Sequence, residues 1–190
     1  MKVKRYMRIL GIDDAPFNKF EDKGKNVLVV GTVFRGGEFL DGLISTKVRI
    51  DGRNATRKLI EMINKSKFKP QLRVVMLDGI ALGGFNIVDI EKLWEATGIP
   101  VMVVMRKYPD FAEMFNALNK LGMGWKKKLI DKAGEPEKFG RLYVQSKGLE
   151  KEQINEILKL CCKRSIIPEP IRVAHIIASG IVLGESRGGA

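Results

Sequence analysis

Three short stretches place carboxylates where they can do chemistry. In RILGIDDAPF, residues 8–17, an apolar run ends on the adjacent Asp13 and Asp14. In LDGI a second apolar run ends on Asp78, and in IDGRNAT a third acid, Asp51, precedes a helical pattern. A buried strand does not end in charge unless that charge is solvated, paired or holding a metal. Two carboxylates about 4 Å apart repel by roughly 4 kcal/mol at an effective dielectric near 20, so a clustered pair needs a shared proton or a cation between them. Asp oxygens suit Mg2+ or Mn2+, ions that keep several waters and bind substrate phosphate, and such an ion acidifies an attacking water on a phosphodiester. Plainer readings exist beside this one. Asp78 is also a normal turn residue before Gly79, and Asp51 equally suits a helix cap or a surface partner of Lys47 and Arg49.

The elements that must position these acids follow in a recognisable order. Residues 6–13, NVLVVGTVFRGG and FLDGLISTKVRID read as three strands, the last two joined by the turn residues RGGE, which predicts an antiparallel meander. Apolar spacing at Leu59, Met62 and Ile63 predicts a helix over 53–65. LRVVMLDG is the near-continuous apolar run of a strand buried on both faces. A helix near 86–96, the strand PVMVVMR from Pro100 and a helix from about Pro109 complete the pattern. Residues 124–148 read as irregular and basic, and two helices, 149–163 and 170–183, close the chain, with Pro168 and Pro170 between them.

This order predicts an α/β fold with a ribonuclease H-like mixed sheet: a three-strand meander, then parallel strands with helices, and C-terminal helices packed on it. The first strand lies near the middle, antiparallel to the second and parallel to the fourth, because right-handed crossovers carry the chain beyond it. Asp13 and Asp78 then end neighbouring strands. On the first strand Ile9, Gly11 and Asp13 share one face while Leu10, Ile12 and Asp14 share the other, so one of the two acids enters a site on a given face.

Composition narrows the class. A chain of 190 residues suits one domain, 1–190, with a core large enough to need no staples. Cys161 and Cys162 are neighbours in a helical pattern without zinc-ligand partners, which reads as two inert thiols in a reducing cytoplasm. No signal-like or membrane-spanning run is present. Lys and Arg number 34 against 22 Asp and Glu, a formal charge of +12, which favours a polyanionic partner such as nucleic acid over a merely solvated lysine surface. WKKKLIDK, from Trp125 to Lys132, concentrates that charge beside an aromatic. It reads either as a strip that tracks phosphates and stacks a base, or as a buried tryptophan with lysines pointing outward.

Six blocks, in order, carry a family resemblance: GIDDAPF, VVGTVFRGG, VRIDGRNAT, LDGIALGGFNIVDI, GIPVMVVMRKYPD and IPEPIRVAHIIASG. Together they cover nearly the whole chain and resemble the archaeal endonuclease dU family and, more distantly, endonuclease V. The resemblance implies that Asp13 and Asp78 bind the metal, with Asp51 in place of a metal-binding glutamate and one methylene shorter. Arg106 falls where endonuclease V has a lysine and keeps the positive charge for phosphate binding, although it cannot give up a proton. His175 falls on a late histidine of the site; on a helical wheel it lies at the edge of the stripe Ala174, Ile177, Ala178 and Ile181, where a lone histidine otherwise reads as structural. Arg35 and Arg172 join it as substrate-binding candidates.

The sequence departs from endonuclease V in two places. LISTKVRIDG runs straight through the position of its aromatic–proline wedge, and GIALGGFN replaces the histidine after its Asp-Gly. Inosine recognition therefore does not transfer. The closer family implies Mg2+- or Mn2+-dependent cleavage of DNA at deoxyuridine, with Gly83, Gly84, Phe85 and Asn86 as a loop for the damaged base. The same four residues also suit a helix start, with Asn86 as cap and Phe85 as staple. Two rival readings are a catalytically silent nucleic-acid-binding protein of the same fold and an endonuclease V-like nuclease acting on inosine-containing or RNA substrates.

Overall fold

The meander forms as expected. Strands β1 (Arg8–Asp14), β2 (Asn26–Arg35) and β3 (Phe39–Arg49) pair antiparallel in sequence order. The computed structural model describes residues 1–22 and 24–186, so the last four positions of the expected 1–190 domain lie outside the described residues. Strand β4 (Leu72–Asp78) lies parallel to β1 on its other side, because helix α1 (Ala55–Asn64) supplies the crossover. Beyond the small antiparallel ribbon of β5 (Ala81–Leu82) and β6 (Asn86–Ile87), helix α2 (Ile90–Thr97) leads to β7 (Val101–Met105), parallel to β4. Helix α3 spans Phe111–Lys120.

Two expectations are corrected. Residues 124–148 are not irregular: after a 3-10 turn at Gly124–Lys126 come helix α4 (Lys127–Ala133) and strands β8 (Glu137–Phe139) and β9 (Leu142–Lys147). Strand β9 pairs antiparallel with β7 and extends the sheet to seven strands, in the order β3-β2-β1-β4-β7-β9-β8. Alternate burial of Leu142 and Val144 between Gly140 and Gly148 is the period of a half-buried strand. The second correction concerns the helix expected from 86: Asn86 and Ile87 pair with Leu82 and Ala81, and α2 starts at Ile90 with Asp89 as its cap, accepting from the Lys92 amide at 3.0 Å.

The chain closes with α5 (Lys151–Cys161) and α6 (Glu169–Leu183). Residues alternate between the faces of β1: Leu10 and Ile12 pack with Leu59, Leu93 and Ile130 of α1, α2 and α4, whereas Ile9 packs with Ile157 of α5 and Ile171 of α6. Gly11 decides how closely α6 approaches. A Cβ there would lie 2.2 Å from the Pro170 carbonyl carbon, and the Pro170 oxygen accepts the Thr32 hydroxyl at 2.6 Å. No described helix is long and apolar enough to cross a membrane.

Candidate active site

The close approach of α6 sets the site. From Gly11 to Asp13 the strand advances about 7 Å, and from Pro170 to His175 the helix advances about 7.5 Å. His175 therefore arrives over Asp13, and its Nδ1 lies 2.8 Å from Asp13 Oδ2. The other carboxylate oxygen of Asp13 accepts the amide of Asp14 at 2.9 Å. Ile12 pairs with Leu77, so Asp13 and Asp78 stand one step further along on neighbouring strands, on the same face. Two residues beyond Val104 on β7, Arg106 has the parity of this face; it is exposed, and its charge acts on Asp78.

The carboxyl groups here are short of compensating positive charge. Burial pushes Asp13 up to about 7, reinforced by the charges of Asp78 and Asp14 and opposed by the His175 hydrogen bond. Asp78 is raised by burial and partly relieved by Arg106. Among the described residues neither Asp13 nor Asp78 forms an ion pair with a lysine or arginine, and the imidazole Nε2 of His175 is buried without a hydrogen-bond partner. These two carboxylates fit a hard divalent ion of the magnesium type, which takes one or two protein carboxylates and completes its shell with water and phosphate. Among the described residues no group of three or more Asp, Glu, His and Cys is arranged as a closed protein cage for a metal, although His175 touches Asp13.

Asp51 has a different place. It stands at the end of β3 with φ +53°, and its Oδ1 accepts the amide of Phe85 at 2.8 Å while its own amide donates to the Gly83 carbonyl at 2.8 Å. Gly84, at φ +77°, is required there, because a Cβ would lie 2.4 Å from Asp51 Oδ1. Asp51 thus clasps the loop that follows Asp78. Asp14 does the same from the opposite face of β1, where its Oδ2 accepts the Gly83 amide at 3.0 Å; burial pushes its carboxyl up to about 6, against the pull of that bond.

The remaining sequence candidates are placed as follows. Asn86 is fully buried, and its amide is committed: Oδ1 accepts from Ala55 N at 3.0 Å, while Nδ2 donates to the Arg49 carbonyl and Asn54 Oδ1. It tethers the start of α1, not α2. Phe85 is half-buried against the core. Arg172 is held by Glu169 through bonds of 2.6 and 3.1 Å, and Arg35 pairs with Asp41 at the far edge of the sheet. Sequence reasoning missed Lys126. Its side chain is 1% exposed, and Nζ donates to the carbonyls of Asp51, Gly52 and Phe85. A lysine run gives no sign of which member turns inward. Cys161 is buried and Cys162 half-buried; both are free, and burial pushes the Cys162 thiol up to about 11.

Comparison with known proteins places this geometry among relatives. The sequence model described as endonuclease dU matches residues 5–182. A UPF0215 protein of Methanothermobacter thermautotrophicus is 51% identical over all of this chain and 94% of its own length, and one of Methanosarcina mazei is 48% identical over 99% and 97%. The crystal structure of a protein of unknown function from Archaeoglobus fulgidus superposes with a TM-score of 0.84 at 39% identity, covering 92% of this chain and 97% of that one. Endonuclease V of Ciona intestinalis, in complex with DNA containing an inosine followed by a ribo-adenosine, has a TM-score of 0.59 at 16% identity, over 94% and 87% of the two chains. That likeness places the fold as ribonuclease H-like.

Proposed function

We propose, from the premise that the chain belongs to the endonuclease dU family, that it is a divalent-metal-dependent endonuclease that cleaves DNA at deoxyuridine. The observation that carries the catalytic part is the pair Asp13, buried, and Asp78, half-buried, on neighbouring strands with no lysine or arginine bonded to either among the described residues. The uracil part rests on the family description. The DNA part also draws on the DNA-bound endonuclease V of the same fold and on the net charge of +12.

Asp13 and Asp78 would hold Mg2+ or Mn2+, which would supply Lewis-acid polarisation of a phosphodiester and an acidified attacking water. The chain's own residues prepare that event. His175, in the tautomer that donates from Nδ1, fixes the rotamer of Asp13, as a partner behind a ligating carboxylate does. Arg106 places a permanent positive charge at the mouth of the site, where it can hold a substrate phosphate. Asp14 and Asp51 grip the 83–85 loop from two sides, so the wall beside Asp78 is preformed.

Incubation with labelled duplexes carrying deoxyuridine, deoxyinosine or normal bases, with and without Mg2+, tests this reading. Metal-dependent nicking at deoxyuridine is the expected result. Absence of metal-dependent nicking on every duplex contradicts the enzyme reading, and nicking confined to inosine or RNA reassigns the substrate.

A further inference from the structure

The basic segment around Trp125 is inverted relative to a solvated lysine face: the lysine is inside and the tryptophan outside. Lys126 is 1% exposed, whereas Trp125 is 40% exposed. An ammonium group is costly to bury, and here three backbone carbonyls offset the cost, with Nζ at 2.9 Å from the oxygen of Asp51 and 2.8 Å from that of Gly52. The third carbonyl belongs to Phe85, in the loop gripped by Asp14 and Asp51. Lys126 thus fastens the turn at Gly124–Lys126 to the loop that follows Asp78 in the chain.

What this fastening presents is specific. The guanidinium of Arg53, two residues past Asp51, lies 4.3 Å from the centroid of the Trp125 ring. Arg53, Lys127 and Lys128 are exposed, with the Lys127 ammonium 4.7 Å from the centroid of the Phe115 ring, while Lys132, one turn beyond Lys128, is engaged by Asp89 and Glu91. A guanidinium stacked on an indole is a π-surface edged with positive charge. Such a surface suits a base with a free face and an adjacent phosphate, and bases offer free faces only where they are unpaired.

We propose that Trp125 and Arg53 form a stacking platform for an unpaired stretch of nucleic acid beside the active site, with Lys127 and Lys128 contacting its phosphates and Lys126 as the positioning residue. The proposal rests on the nucleic-acid part of the reading above and extends it to a second contact surface.

Binding in EDTA separates it from catalysis. The probes are a fluorescein-labelled oligo-dT of about 15 nucleotides and a blunt duplex of equal length. Trp125→Ala should weaken oligo-dT binding about tenfold or more, with Trp125→Phe recovering most of it and the duplex changing less than about twofold. Lys128→Ala should reduce the salt dependence of binding by about one phosphate contact. Arg53→Ala leaves the Lys126 clasp intact and should weaken oligo-dT binding about threefold or more; it decides the matter if Trp125→Ala does not fold. Oligo-dT affinity within twofold of the parent in the folded variants, or equal losses for single strand and duplex, overturns the platform. A parent protein that never cleaves but loses oligo-dT binding in Trp125→Ala overturns the nuclease reading alone; one that cleaves normally while Trp125→Ala binds like the parent overturns the platform alone.

Discussion

The two edges of the central sheet hold aspartates in opposite electrostatic states. At the edge where β1 begins, Asp41 accepts from Arg8 at 2.7 Å and Arg35 at 3.0 Å, and these bonds hold its carboxyl below the usual range. At the edge where β1 ends, Asp13 is buried and Asp14 and Asp78 are half-buried, and all three are raised, chiefly by desolvation. The difference teaches how to tell a structural acid from one kept for chemistry. The first has its cation built in and is settled in the folded chain alone; the second is left short of positive charge by the fold and, on the function proposed above, becomes settled when a metal ion is bound.

The largest way to break this contrast is Asp78→Asn, which leaves shape and folding intact and removes half of the carboxylate pair. Cleavage should fall roughly a thousandfold or more, equivalent to about 4 kcal/mol of barrier, with DNA affinity nearly unchanged. Steady-state cleavage beside filter binding checks this, and an active variant removes Asp78 from the site. Next comes Lys126→Met, which keeps the volume but leaves three carbonyls without a donor. It should cost about 3 kcal/mol, read as a melting point lower by roughly 6–12 °C; an unchanged melting point shows that the clasp contributes nothing to the fold.

The raised acids also set a pH dependence. In the folded metal-free protein Asp13 keeps its proton up to about 7 and Asp14 up to about 6, whereas in the unfolded chain both release it near the ordinary value of about 4. The folded state therefore binds more protons between those limits, so their contribution is complete below about pH 4 and is lost as pH rises toward 7. Asp13→Asn should melt increasingly higher than the parent across that window, by a few degrees at its upper end, and added Mg2+ should close the gap by stabilising the parent. A difference that does not vary with pH contradicts the assignment. The smallest effect belongs to the paired edge. Asp41→Asn should change stability by about 1 kcal/mol and leave cleavage alone, since ion pairs at a partly exposed sheet edge are worth little; a lost activity there would erase the distinction between the edges.

Legibility in the sequence followed the same divide between local and distant causes. Strands β1, β2, β4 and β7 are apolar runs bounded by turn residues, so they are visible in isolation, and β3 is visible through the turn residues that join it to β2. Strand parity put Asp13 and Asp14 on opposite faces, because the period of two is fixed by the pleat, and the family resemblance then pointed to Asp13. Residues 124–148 were hidden because α4, β8 and β9 are short, and because the lysine run that opens the segment contains a core residue, Lys126. Asn86 resembles a helix cap, yet its partners Arg49, Asn54 and Ala55 lie 31–37 residues away and exist only once β5 and β6 pair. Arg35 sits in a block shared with the family, but its fate is set by Asp41 across the β2–β3 hairpin. Asp51 was visible as an acid at a strand end, and its engagement with the Phe85 amide was not, since it depends on where a glycine loop returns.

The account stands most directly on whether Asp13 and Asp78 hold a divalent ion. Calorimetric titration of the metal-free protein with Mn2+ near pH 7, repeated in buffers of different ionisation enthalpy and on Asp78→Asn, measures this. The account predicts binding to the parent with release of a fraction of a proton, as the raised Asp13 carboxyl gives up its hydrogen, and loss of both in Asp78→Asn. Equal Mn2+ binding by the parent and Asp78→Asn, or no binding by the parent, would contradict it.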